Sequence, residues 1–199
     1  MKSKIFIVLL MTLILSATLS AQTEKGQWII GGNASLDVTY TEGGLSNQSG
    51  KSGYTVLNIT PEAGYFVFDN FSAGLSGNYA YRWDFESEDM TLLSQFKYYL
   101  SQSNCRPFVK ANVGYRYASI YGNDGSLFNS KDMGGVVFGG GIGCAFFVSR
   151  TISIDLGVQY LHSHLTQMGI TYDLETDRTF DFTANKNDVN VFVGFSLYL

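Results

Sequence analysis

Proline, cysteine and histidine are each present only twice in 199 residues, and tryptophan is equally scarce. Two histidines, His162 and His164, and two cysteines, Cys105 and Cys144, leave little from which to build a metal cluster or a thiol site. No metal, cofactor or catalytic residue is therefore assigned. Lys/Arg runs and basic stripes are also missing, which argues against nucleic acid as a partner. After Ala21 no stretch holds about 18 consecutive apolar residues, so no helix can cross a membrane. If the chain enters a bilayer, it does so as strands.

The N-terminus is of a different kind. Lys2 and Lys4 give it a basic start, Ile5 to Leu15 is apolar apart from Thr12, and small residues lead up to Ala21. This is the pattern of a secretory signal peptide over residues 1–21, read by the Sec pathway and cleaved after Ala21. The alternative, an N-terminal anchor, needs a run of about 20 residues, longer than the one present. The expected mature domain is 22–199. It carries 11 basic and 17 acidic residues, a formal charge of −6. Export permits a disulfide. Cys105 reads as part of a short turn and Cys144 as part of an outward row, so the two are expected to remain unpaired.

What the chain does have is alternation. From Phe71 to Glu86 every odd position is apolar, aromatic or Gly, including Leu75, Tyr79, Tyr81, Trp83 and Phe85. Every even position is small, polar or charged, including Asn78, Arg82 and Asp84. A period of two marks a strand with one apolar and one polar face. Sixteen residues at about 3.3 Å each would span roughly 50 Å.

Seven more segments repeat the pattern: Gln27–Tyr40, Gly53–Val67, Met90–Ser101, Pro107–Ser119, Met133–Val148, Thr151–Leu165 and Asn187–Leu199. Pro61, inside the second, removes a ladder donor and is expected to mark a bulge. Short turns near 68–70, 102–106 and 149–150 alternate with the longer loops 41–52, 120–132 and 166–186. A further short connection runs over 87–89. The implied fold class is all-β: an eight-stranded antiparallel up-and-down transmembrane β-barrel.

An eight-stranded barrel can instead be a soluble carrier with its apolar face inward. The outward assignment rests on three features. The apolar rows are uniform and carry aromatic residues near many strand ends, at Trp28, Tyr40, Tyr65, Phe71, Trp83, Phe85, Tyr117 and Tyr160. The polar rows mix small residues with a few charges, as a small closed interior needs. The strands are also longer than the roughly 9–11 residues a tilted crossing requires. Inside, Glu62, Arg82, Asp84, Lys97, Lys110, Arg116 and Asp155 are expected to pair with one another. Buried charges need partners, and eight strands leave only room for side chains. The glycines of the sixth strand, Gly135, Gly139, Gly141 and Gly143, are expected to make space for long charged side chains across the lumen. Gly139-Gly140-Gly141 lacks the Lys-Ser/Thr of a phosphate loop.

With the signal ending Leu19-Ser20-Ala21-Gln22, the alternating strand Phe71–Glu86, the Gly-rich sixth strand and the closing strand Val189–Leu199, the chain resembles the small outer-membrane β-barrel families of Gram-negative bacteria, the OmpA/OmpX-like and opacity-type group. Such proteins usually close on an aromatic residue. Here the last residue is Leu199, with Phe195 higher in the same row. The resemblance implies a monomer in the cell outer membrane, in contact with lipid and lipopolysaccharide. Its function is then structural, or a surface interaction with an extracellular ligand through loops 41–52, 120–132 and 166–186. A narrow porin-like channel for small solutes is the alternative.

A third reading is a lipid-A-modifying enzyme built on His162, Ser163 and His164. In a strand, Ser163 points to the face opposite its neighbours, which removes it as their partner. The chain is accordingly read as a non-enzyme.

Overall fold

The computed structural model describes residues 23–44, 50–82, 87–120, 131–167 and 183–199. They form eight strands: β1 (Trp28–Gly44), β2 (Gly50–Phe68), β3 (Phe71–Arg82), β4 (Ser87–Tyr99), β5 (Cys105–Ile120), β6 (Lys131–Phe147), β7 (Ile152–Gln167) and β8 (Thr183–Tyr198). Each pairs antiparallel with the next, and β8 returns to β1, so the sheet is a closed barrel. The seam is tight to the end of the chain. Trp28 N–H donates to Leu199 O and Leu199 N–H to Trp28 O, both at 2.8 Å. Closure leaves no unpaired edge between first and last strands.

The alternation sorts side chains as the sequence implies. Leu57, Ile59 and Ile142 face outward, each about two-thirds exposed (67%, 69% and 65%). Lys97, Arg116 and Asp155 face inward and are buried. Outward aromatic residues gather at the turn end: Trp28 packs edge-on against Tyr65 at 5.3 Å, and Phe71 lies between Phe68 and Phe96.

Several boundaries differ from the sequence reading. The expected loop 41–52 is mostly strand, with Thr41 paired to Ser52, Glu42 to Lys51 and Gly43 to Gly50. Likewise β4 begins at Ser87, and β8 reaches back to Thr183, into the expected loops 87–89 and 166–186. Polar composition reads as loop, yet ladder hydrogen bonds use only the backbone, so polar residues continue a hairpin. The signal peptide 1–21 and Trp83, Asp84, Phe85 and Glu86 lie outside the described residues, as do the side chains of Tyr40 and Arg82.

Pro61 makes no bulge. It pairs in register with Gly32 of β1, while the β2–β3 ladder passes from Ile59↔Tyr79 to Glu62↔Ser76 without a shift and without pairing between. A missing N–H deletes a bond without requiring an extra residue. Asn78 Nδ2 donates to Thr60 Oγ1 at 3.0 Å across this gap. The register shift in β2 comes instead at Phe66–Phe68, beside the turn at Asn70, whose φ of 64° suits the left-handed tolerance of Asn.

The cysteines are the other correction. Cys105 and Cys144 are joined by a disulfide, with Cα atoms 6.3 Å apart. Cys105 is the first residue of β5 rather than part of a turn. Its register partner is Phe146, and Cys144 faces Pro107, so the two are diagonal neighbours on the same outward face of adjacent strands. That separation suits a bridge.

Candidate functional site

The candidate site is the interior of the barrel, which is filled in two layers. At the turn end lies an aromatic floor: Phe66, Tyr99, Phe108, Phe192 and Tyr198, with Ile29 and Ala145, and Phe147 packed against them. Phe108 stacks on Phe192 (6.5 Å) and meets Tyr99 at a tilt (5.8 Å), Tyr198 lies 4.9 Å from Phe147, and the Tyr99 and Tyr198 hydroxyls are hydrogen-bonded at 3.1 Å. All project from the inward rows.

Glycines make this floor possible. A Cβ added at Gly143 would stand 2.5 Å from Phe108 Cζ, and one at Gly157 would stand 2.5 Å from Phe192 Cζ. The expectation that inward glycines make space for charged side chains across the lumen is not met: at Gly135 and Gly139 an added Cβ would first meet the β7 backbone, and at Gly141 the charged neighbour, Lys110 Cε at 3.1 Å, belongs to the adjacent strand β5. At Gly143 and Gly157 the occupant is a ring.

Below the floor, the segment before β1 folds across the mouth. Thr23 is buried; its Oγ1 donates to Asn70 Oδ1 and accepts from Arg106 Nη1, both at 2.7 Å. The Arg106 guanidinium lies 4.4 Å over the Phe147 ring and donates from Nε to Ser103 O.

Charges next to the floor form one group. Lys97 Nζ is 3.0 Å from Glu62 Oε1 and 3.9 Å from Asp155 Oδ2. Asp155 also accepts from Ser153 and Ser196 hydroxyls, at 2.6 and 2.7 Å. Lys110 Nζ stands 4.0 Å over the Phe192 ring. Toward the loop end a second group forms: Arg116 Nη1 donates to Asp188 Oδ2 at 2.5 Å, and Arg116 Nε to Thr91 Oγ1 at 2.9 Å. Lys186 pairs with Asp89 and lies 4.0 Å from Asp188. Asp37 accepts from Ser35 Oγ at 2.6 Å and from Asn58 Nδ2. In this interior each buried charge is met by hydrogen bonds, an opposite charge or a ring face.

Of the seven expected lumen charges, Glu62, Lys97 and Asp155 meet in one group, Arg116 belongs to the other and Lys110 rests on a ring. Asp84 and the Arg82 side chain lie outside the described residues. Asp89 and Lys186 are lumen charges that the segment bounds Met90–Ser101 and Asn187–Leu199 exclude. Their strands start earlier than composition suggests, and extending the inward parity of β4 and β8 by a few residues finds both.

Ser163 is wholly buried and faces inward, whereas His162 and His164 face outward. The three make no nucleophile–base pair. Among the described residues no three His, Cys, Asp or Glu side chains gather into a metal-binding group.

No protein-family model matches the sequence, and neither does any curated protein. Solved structures do resemble it. The crystal structure of Neisserial surface protein A (NspA) superposes with a TM-score of 0.55 at 13% identity, over 87% of this chain and 99% of that one. The outer membrane protein OprG from Pseudomonas aeruginosa gives 0.55 at 15% identity, over 90% and 99%. With its closed antiparallel sheet and outward apolar rows, the chain has the fold of the small eight-stranded outer-membrane β-barrels.

Proposed function

We propose that this protein is an integral, monomeric barrel of a Gram-negative outer membrane, exported by the Sec pathway and cleaved after Ala21. Its lumen is closed to solutes, and it acts structurally or through the segments that link its strands at the loop end. The observation that carries the reading is the inversion of polarity. Leu36, Leu57, Leu75, Leu92, Ile142 and Val191 all face outward and are more than half exposed, while two ion-pair groups occupy the interior. An exposed apolar band of this extent suits hydrocarbon, not water. On β8 it runs from Val189 to Leu197, nine residues, the length of a tilted crossing.

The two layers support a closed lumen. A solute would have to displace the rings on Gly143 and Gly157 and also part the Arg116–Asp188 pair. The outward surface would contact lipid and lipopolysaccharide. An extracellular ligand would be met at residues 45–49, 121–130 and 168–182, the parts of the expected loops outside the described strands. The opposite faces of Ser163 and the two histidines weigh against the lipid-A-modifying reading built on those three residues.

The test is purification in detergent and reconstitution in vesicles. The folded protein should migrate differently before and after boiling, resist protease in the vesicle, and show no steady conductance in planar bilayers. A large steady conductance overturns the closed lumen in favour of the porin-like channel. A folded, detergent-free soluble monomer overturns the membrane reading.

A further inference from the structure

Two outward side chains have no part in that reading. The outward row of β7 runs Ile154, Leu156, Val158 and Tyr160, and then His162 and His164. The facing row of β8 runs Val193, Val191 and Val189, and then Asn187 and Asn185. Apolar gives way to polar at the same height on both strands. The imidazoles therefore stand at the rim of the apolar band, within reach of water.

Register places His162 opposite Asn187 and His164 opposite Asn185. Each imidazole Nδ1 lies against the amide oxygen of its partner, at 2.7 Å for His162 and 2.8 Å for His164. An amide oxygen only accepts, so each Nδ1 carries a hydrogen, and in the neutral ring the lone pair is then on Nε2. Asn187 Oδ1 also accepts from the Tyr160 hydroxyl at 2.8 Å, which favours the same orientation of its amide. Neither Nε2 has a partner among the described residues. Phe138 packs against the His162 ring with centroids 5.3 Å apart and limits its rotation.

A histidine whose remote ring N–H is held by an acceptor is oriented, and its tautomer set, as a metal ligand is. Two such histidines at i and i+2 of a strand share one face, about 7 Å apart along it. One ion bound at about 2.0–2.1 Å holds two nitrogens at most about 4.2 Å apart, so binding needs the two rings to lean toward each other from that backbone spacing. Imidazole suits zinc, copper and nickel, and disfavours the hard cations that oxygen ligands hold.

We propose that His162 and His164 bind one divalent transition cation, Cu(II) or Zn(II), through their Nε2 atoms at the outer rim of the barrel. Asn187 and Asn185 are positioning residues. Two protein ligands with water completing the shell make an open, exchangeable site, unlike the four-ligand closed sites of structural zinc.

The experiment uses tag-free mature protein folded in detergent, titrated with Cu(II) by calorimetry and followed by electron paramagnetic resonance. The expected result is one Cu(II) per barrel with hyperfine splitting from two imidazole nitrogens. H162Q and H164Q should each weaken binding about 10–100-fold, and the double variant should remove it. The N185A/N187A variant should weaken binding about 10-fold while retaining the two-nitrogen signature, the mark of a positioning role. The heat-shifted gel band verifies folding of every variant, since all four side chains lie on the outside. Copper binding unchanged in H162Q/H164Q, or a parent spectrum without imidazole nitrogen, overturns the site. Parent-like affinity in N185A/N187A overturns the positioning role.

Discussion

The turn end and the loop end of the lumen solve one problem with different chemistry. Both are lined by inward rows of the same eight strands, and both must fill a bore wide enough only for side chains. At the turn end the filling is aromatic. Phe108 and Phe192 lie across Gly143 and Gly157, with Tyr99 and Tyr198 joined through their hydroxyls. At the loop end it is ionic, with Arg116 and Lys186 shared between Asp89 and Asp188. Rings need space and little else, so the floor depends on glycine. Charges need partners from several strands, so the network depends on register. The two layers should therefore fail in different ways.

The sharpest break is at the network. Asp188→Ala takes from Arg116 its 2.5 Å carboxylate partner, and removing one partner of a buried pair costs about 3–5 kcal/mol. Urea unfolding in vesicles should show that loss, while Asp188→Ala combined with Arg116→Ala should recover part of it. At the turn end the Cys105–Cys144 bridge supports the floor from outside. Cys105→Ser should lower stability by about 2–4 kcal/mol, the usual worth of a disulfide, with the heat-shifted band retained. An unchanged unfolding midpoint would show that closure alone holds β5 to β6.

Gly157→Val attacks the floor itself. Its added atoms occupy the Phe192 ring position, an overpacking cost of about 1–3 kcal/mol. A paired Phe192→Leu change should relieve part of it while removing the ring face under Lys110, and neither change should alter the loop-end network. The smallest effect belongs to the wall. Asn78→Ala removes the side-chain bond across the Pro61 gap and should cost about 1 kcal/mol, seen as faster amide exchange confined to β2 and β3.

Much of the barrel is legible along the chain, because a period of two is a local property. Leu75 and Tyr79 must face one way and Asn78 the other, whatever the strand pairs with. The same rule assigns Phe66, Tyr99, Phe108, Phe192 and Tyr198 to the inward rows. It does not reveal that they meet at one height, since that depends on how the four strands β2, β4, β5 and β8 are staggered. The starts of β4 at Ser87 and β8 at Thr183 are hidden in the composition for the same reason. Polar residues above an apolar band look like loop until a partner strand is seen beside them.

Parity and strand count were therefore determined by the amino-acid order alone, through the alternation of side chains on an extended backbone, and the outward direction of the apolar row by the aromatic strand ends and the strand length. Only the closed sheet decided which charges became partners, that rings occupy the turn end, and that Cys105 meets Cys144 on the diagonal. Those contacts join residues far apart in the chain, and their distances exist only once the register of all eight strands is set.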